Sequence, residues 1–139
     1  MPYTKEFLLE THRRIQPYIH WTPVMTSETL NRMAGAELFF KCDNFQKMGA
    51  FKMRGAANAI LCLSEEARSK GVATHSSGNF AQALALSAKM LGVKAYIVMP
   101  SNSPAVKKAA VRDYGGEIIE CVPTLQARVL LLSKSLTCK

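Results

Sequence analysis

Apolar and polar positions along this chain fall into short dense runs, each followed by a longer stretch with helical spacing. Val72-Ala-Thr-His75, Ala95-Tyr-Ile-Val-Met99 and Glu117-Ile-Ile-Glu-Cys-Val122 have the β-branched and aromatic content of strands. The helices predicted after them run from Asn79 to Leu91, from Pro104 to Tyr114, and beyond Val122. Upstream, Leu38-Phe-Phe-Lys-Cys-Asp43 reads as a strand, and Phe51 to Leu63 as an alanine- and leucine-rich helix. Before these, Lys5 to Gln16 reads as an amphipathic helix stopped by Pro17, and Trp21-Thr-Pro-Val leads into a second helix through Thr26-Ser27-Glu28. Strands alternating with helices predict an α/β fold, a parallel sheet with helices on both faces.

Turn chemistry agrees with these boundaries. Gly71, Gly92 and Gly115-Gly116 each fall between a helix and the next strand, where a left-handed cap is wanted. The helix from Phe80 to Leu91 is apolar nearly all round, which predicts a sheet on one side and another domain on the other. Three parts are expected: an arm and partial large domain over 1–70, a small α/β domain over 71–123, and a helical tail over 124–139. In that tail, Leu125 and Val129 to Leu132 read as the packing stripe of a terminal helix, with an exposed apolar patch as the alternative.

Composition narrows the function classes. The chain has 139 residues, enough for about one domain, and 48% of them are apolar, enough for a core. It has no apolar run of spanning length, and Met1-Pro-Tyr-Thr-Lys lacks the apolar core of a secretory signal, so a cytoplasmic protein without membrane partners is expected. A net charge of +8 raises nucleic-acid binding, but the basic residues are dispersed. The longest pure runs are Arg13-Arg14 and Lys107-Lys108, with no interleaved aromatics, so a solvated basic surface is the reading. Cys42, Cys62, Cys121 and Cys138 have no paired spacing and read as free thiols, with no metal site. His12, His20 and His75 lack a partner at a telling distance and read as structural or surface residues.

Two segments carry candidate chemistry. In Lys41-Cys-Asp-Asn-Phe-Gln-Lys-Met-Gly-Ala-Phe-Lys-Met-Arg-Gly-Ala56 a strand ends, a glycine turns the chain, and a helix begins with Lys52 in its first turn. A partly desolvated ε-amine there would be a nucleophile toward a carbonyl cofactor. In His75-Ser-Ser-Gly-Asn-Phe-Ala-Gln82 a strand's carboxyl end opens a helix, the place where parallel α/β sheets bind ligands. Ser76, Ser77 and Asn79 offer donors, Gly78 lets the backbone turn, and free N–H groups favour an anion such as a substrate carboxylate. A Ser/Asn helix cap without a ligand is the bland alternative.

Gly49-Ala-Phe-Lys-Met-Arg-Gly-Ala56 followed by Thr74-His-Ser-Ser-Gly-Asn-Phe-Ala-Gln82 resembles the fold-type II pyridoxal-phosphate enzymes, and within them the threonine/serine dehydratases and serine racemases. The resemblance runs from about Arg13 to Gln126 and includes Thr22-Pro-Val, Phe39-Phe-Lys-Cys, Ala95-Tyr-Ile-Val-Met-Pro and Tyr114-Gly-Gly. It implies pyridoxal 5'-phosphate as cofactor, held covalently by Lys52, with Phe51 packed against the pyridine ring and Asn79 hydrogen-bonded to the 3-oxygen. Ser76, Ser77, Gly78, Asn79 and Phe80 would hold the substrate carboxylate, and Ser77 would face the opposite side of the substrate α-carbon from Lys52. The implied reaction is deamination of L-threonine or L-serine by β-elimination to a 2-oxo acid and ammonia; racemisation is the alternative. A non-catalytic short form that associates with full-length homologues is a further one.

Departures bear on that choice. Met48 stands where the family has a small or hydroxyl residue, Ala50 where serine is frequent, and Phe80 where histidine is usual. Ala81-Gln82 follows the dehydratase pattern more closely than the glycine form of racemases, a vote for elimination. The adjacent glycines Gly115-Gly116 read as a helix-to-strand turn, so no glycine-rich phosphate cup is found in the chain. The family's enzymes are longer, and the expectation is a truncated or frameshifted product, a short form, or one piece of a split enzyme, in a homo-oligomer or with a complementary chain.

Overall fold

A computed structural model of the protein describes residues 3–137. The central sheet is parallel and has three strands, β3 (Val72–His75), β4 (Ala95–Pro100) and β5 (Glu117–Cys121), in the order β3-β4-β5. Val72 pairs with Ala95 and Tyr96 with Glu117, so each strand pairs with its predecessor after a helical crossover. The crossovers are α5 (Asn79–Met90) and α6 (Ala105–Asp113), which pack on each other on one side of the sheet. Helix α7 (Leu125–Thr137) packs on β3, β4 and β5. Its first residue Leu125, with Val129 and Leu130, stays exposed.

Every residue of β4 is buried, as a central strand covered on both faces requires. Around it lie Ile60, Leu84, Ile97, Met99 and Val111, and the alanines Ala81, Ala85 and Ala88 of α5. Those alanines let α5 approach the sheet on one side and α3 (Lys52–Leu61) on the other, the two-sided packing expected of an all-round apolar helix. Gly71, Gly92 and Gly115 have positive φ at the expected turns. Gly116 is needed for a different reason: a Cβ there would lie 2.9 Å from Val111 and 3.0 Å from Ala85. The Gly115-Gly116 pair is therefore a packed helix-to-strand turn, as read.

The N-terminal part departs from expectation in one respect. The strand expected at 38–43 contracts to β2 (Phe40–Lys41) and pairs antiparallel with β1 (Val24–Met25), apart from the parallel sheet. Before and between them stand α1 (Lys5–Ile15), capped by Thr4, and α2 (Glu28–Ala34), capped by Ser27. A short helix α4 (Glu65–Ser69), capped by Ser64, joins α3 to β3. Cys42, Cys62 and Cys121 are free thiols, while Cys138 lies outside the described residues. Among the described residues no helix is long and apolar enough to cross a membrane, and no group of metal-ligating side chains occurs.

Candidate active site

The loop after β3 is pinned at its base and open at its tip. Ser76 donates its N–H to the Val98 carbonyl at 3.1 Å, and its Oγ accepts the Gly78 N–H at 3.3 Å. The chain then enters α5, whose opening N–H groups have no carbonyl a turn earlier to bind. Ser77, Asn79 and Phe80 accordingly present N–H groups that find no acceptor among the described residues. A carboxylate placed there would meet several donors and the positive end of a 12-residue helix.

The side chains of this loop point to different tasks. The Ser77 hydroxyl makes no hydrogen bond among the described residues, which leaves it available as donor or acceptor. The Asn79 Oδ1 accepts a hydrogen bond from Lys107 Nζ at 2.5 Å. Phe80 lines a cavity of about 210 Å³ with Ile60, Leu63, Val72, Thr74 and Leu84, so this residue adjoins apolar packing while its N–H remains at the helix start. Ala81 behind it is fully buried, and Gln82 is 8% exposed with its Nε2 lacking an acceptor.

Lys52 is the first residue of α3. The residue is half-buried, and its amine, which forms no hydrogen bond or ion pair among the described residues, lies 4.9 Å from the centre of the Phe51 ring. Phe51 itself is 63% exposed. The turn before Lys52 is tightly specified. Gln46, buried, accepts the His20 and Lys47 N–H groups at 2.8 and 2.9 Å and donates to the His20 carbonyl at 2.9 Å. Met48 and Gly49 then both take positive φ, 56° and 75°, a conformation that costs a non-glycine residue about 1–2 kcal/mol.

A polar clamp holds the first turn of α3. Arg54 donates twice to Asp43, at 2.8 Å in each bond, and once to Thr22 Oγ1 at 3.1 Å. Thr22, 1% exposed, donates its hydroxyl to Asp43 at 2.6 Å, and Lys41 Nζ donates to the Thr22 carbonyl at 2.6 Å. The hydrogen-bonded Arg54 pulls the Asp43 carboxyl from the usual 3.8 down to about 2, against burial, which acts to raise it; Thr22 assists. Arg54 is raised in turn by its hydrogen bonds to Asp43.

Helices α3 and α5 pack on one another, with Ser87 Oγ 3.4 Å from Met53 Sδ, so the lysine and the loop belong to one helix pair. No hydrogen bond joins Lys52 to residues 76–80 among the described residues. His12 packs edge-on to Trp21 at 5.6 Å, the His20 ring meets the Phe45 carbonyl at 3.2 Å, and His75 ends β3 just before the loop. Sequence reasoning missed Thr22, Asp43 and Arg54 as a unit, and missed Lys107. The doublet Lys107-Lys108 was visible only as surface charge.

The family model for "Pyridoxal-phosphate dependent enzyme" matches residues 15–137. A serine racemase from Dictyostelium discoideum is 54% identical over 125 residues, which are 90% of this chain and 39% of that protein. An L-threo-3-hydroxyaspartate ammonia-lyase from Saccharomyces cerevisiae is 56% identical over 112 residues, 81% of this chain and 34% of that protein. The solved structure of maize serine racemase superposes with a TM-score of 0.88 at 50% identity, covering 92% of this chain and 39% of that one. The chain thus spans between about a third and two fifths of the length of these relatives.

Proposed function

The chain belongs to the pyridoxal-phosphate dependent enzymes, of the fold-type II group that holds both racemases and ammonia-lyases, and from that membership we propose that Lys52 and the Ser76–Phe80 loop serve α-proton exchange on a small amino acid, as in serine racemase. The observation that carries the reading is a half-buried lysine at the start of α3 whose amine is unpaired among the described residues, together with three N–H groups at and just before the start of α5 that find no acceptor there.

The residues present suit one end of that cofactor. A primary amine without an ionic partner suits an aldehyde, the Phe51 ring beside it suits a pyridine face, and the free half of the Asn79 amide suits the 3-oxygen. Pyridoxal 5'-phosphate, when bound, supplies an electron sink for the pair left on the α-carbon. Ser77, Asn79 and Phe80 would bind the substrate carboxylate through their N–H groups and fix the α-carbon's orientation. Lys52 Nζ, in its neutral form, would take the α-proton on one face. Ser77 Oγ, facing the other, would return a proton there and so invert the centre.

Similarity to serine racemases gives racemisation precedence over the elimination expected from Ala81-Gln82. Elimination stands as the second reading, supported by the similar ammonia-lyase and by the Ala81-Gln82 pattern. In that branch Lys52 takes the same proton and the β-hydroxyl leaves. The test uses the full chain with pyridoxal phosphate and borohydride: peptide mass should place the reduced cofactor on Lys52. Absence of label, or label spread over other lysines, would overturn the site. With L-serine, chiral chromatography and a 2-oxo acid assay then separate D-serine from pyruvate.

A further inference from the structure

We infer that Lys107 is a positioning residue that sets which half of the Asn79 amide faces the ligand. An ammonium can only donate, so the amide atom turned toward Lys107 must be Oδ1, the atom found 2.5 Å from Nζ. Rotating the amide by half a turn would set NH₂ against NH₃⁺, donor against donor. The contact therefore orients the two Nδ2 hydrogens away from Lys107, where they can donate to an acceptor oxygen. The preferred acceptor is an aromatic oxyanion, because the nearby positive charge favours the ionised form.

The neighbouring lysine shows that this is a selective arrangement. Lys108 is consumed by structure: its Nζ donates to the Ser101 carbonyl at 2.9 Å and pairs with Glu120 at 3.0 Å, which Arg112 also approaches at 3.8 Å. These bonds fix the first turn of α6 against the end of β4 and the edge strand β5. Lys107 has no carboxylate partner among the described residues, and its charge is directed to the loop after β3 instead. One lysine anchors the helix and the other delivers a cation to Asn79.

This inference rests on the reading that Asn79 faces the cofactor, and two measurements on the full chain separate their failures. The first needs no cofactor: in ¹⁵N spectra, Lys107→Met should move the Asn79 side-chain amide resonance, and Lys107→Arg should largely preserve it. An unmoved resonance in Lys107→Met overturns the inference. The second titrates pyridoxal phosphate against borohydride trapping on Lys52. Lys107→Met should need roughly tenfold more cofactor for half-trapping and shift the bound cofactor's absorption maximum, with Lys107→Arg close to the parent. In an Asn79→Ala background the effect of Lys107→Met should vanish. Equal trapping in parent and Lys107→Met overturns the inference. If the parent itself traps nothing, the site reading falls, and the resonance alone decides the orientation of the amide.

Discussion

Residues 72–121 and residues 22–54 hold their shapes by opposite means. The first segment is built around β4, a strand buried along its whole length, with Ile97, Val98 and Met99 fully inaccessible and the alanines of α5 packed against it. The second leaves Val24, Met25, Phe39, Phe40 and Phe45 substantially exposed and is fastened by hydrogen bonds among Thr22, Lys41, Asp43 and Arg54, with the Gln46 side chain bonded separately to His20 and Lys47. Apolar burial is strong but non-directional, so it suits a platform. Hydrogen bonds to charged groups are directional, and they fix the first turn of α3, two residues from Lys52.

The sharpest way to break that contrast is to remove volume from the platform. Ile97→Ala should cost about 2–5 kcal/mol and lower the urea midpoint of the whole chain, because nothing can fill the space in the central strand. Gly116→Ala tests the same platform by overpacking. Its Cβ would sit 2.9 Å from Val111, for an expected loss of about 1–3 kcal/mol in the same assay.

The clamp should respond differently. Arg54→Ala leaves Asp43 without its charged partner, for an expected loss of roughly 1–3 kcal/mol, and should also reduce cofactor trapping on Lys52 while the far-ultraviolet spectrum stays that of the parent. A pH series sharpens this. Because the folded Asp43 titrates near 2 and the unfolded group near 3.8, its contribution is complete above about pH 4 and fades as pH falls toward 2. The parent's advantage over Arg54→Ala should shrink across that window and hold steady from pH 5 to 7. The smallest effect is expected at Met48, where Met48→Gly relieves the left-handed backbone but adds chain entropy on unfolding, for a net gain below about 1 kcal/mol.

The same contrast explains what could be read from the chain alone. The strands at 72–75, 95–100 and 117–121 announce themselves by composition and by the glycines that precede them, since burial imposes a local pattern. The ribbon of β1 and β2 has two residues per strand, too few for alternation to show. Polar contacts leave no periodic trace: Arg54 finds Thr22 32 residues away, and Lys107 finds Asn79 28 away. Lys52 and the Ser76–Phe80 loop stand out as candidates because two motifs follow in order, whereas the side chains that contact their surroundings come from scattered positions. The proposed preference for racemisation draws on similarity to serine racemases over some 125 residues, because Ala81 is a single buried methyl in a first helical turn and carries little information alone.

The strand order β3-β4-β5 also has a consequence for how the chain comes into being on the ribosome. Each strand's first partner is the one synthesised just before it, 21 to 23 residues earlier by register. No strand has to wait for a distant neighbour to emerge, so the sheet can grow at one edge in step with translation. At any moment the newest strand forms the growing edge and β3 the opposite one, and the next crossover helix follows the new strand in the chain.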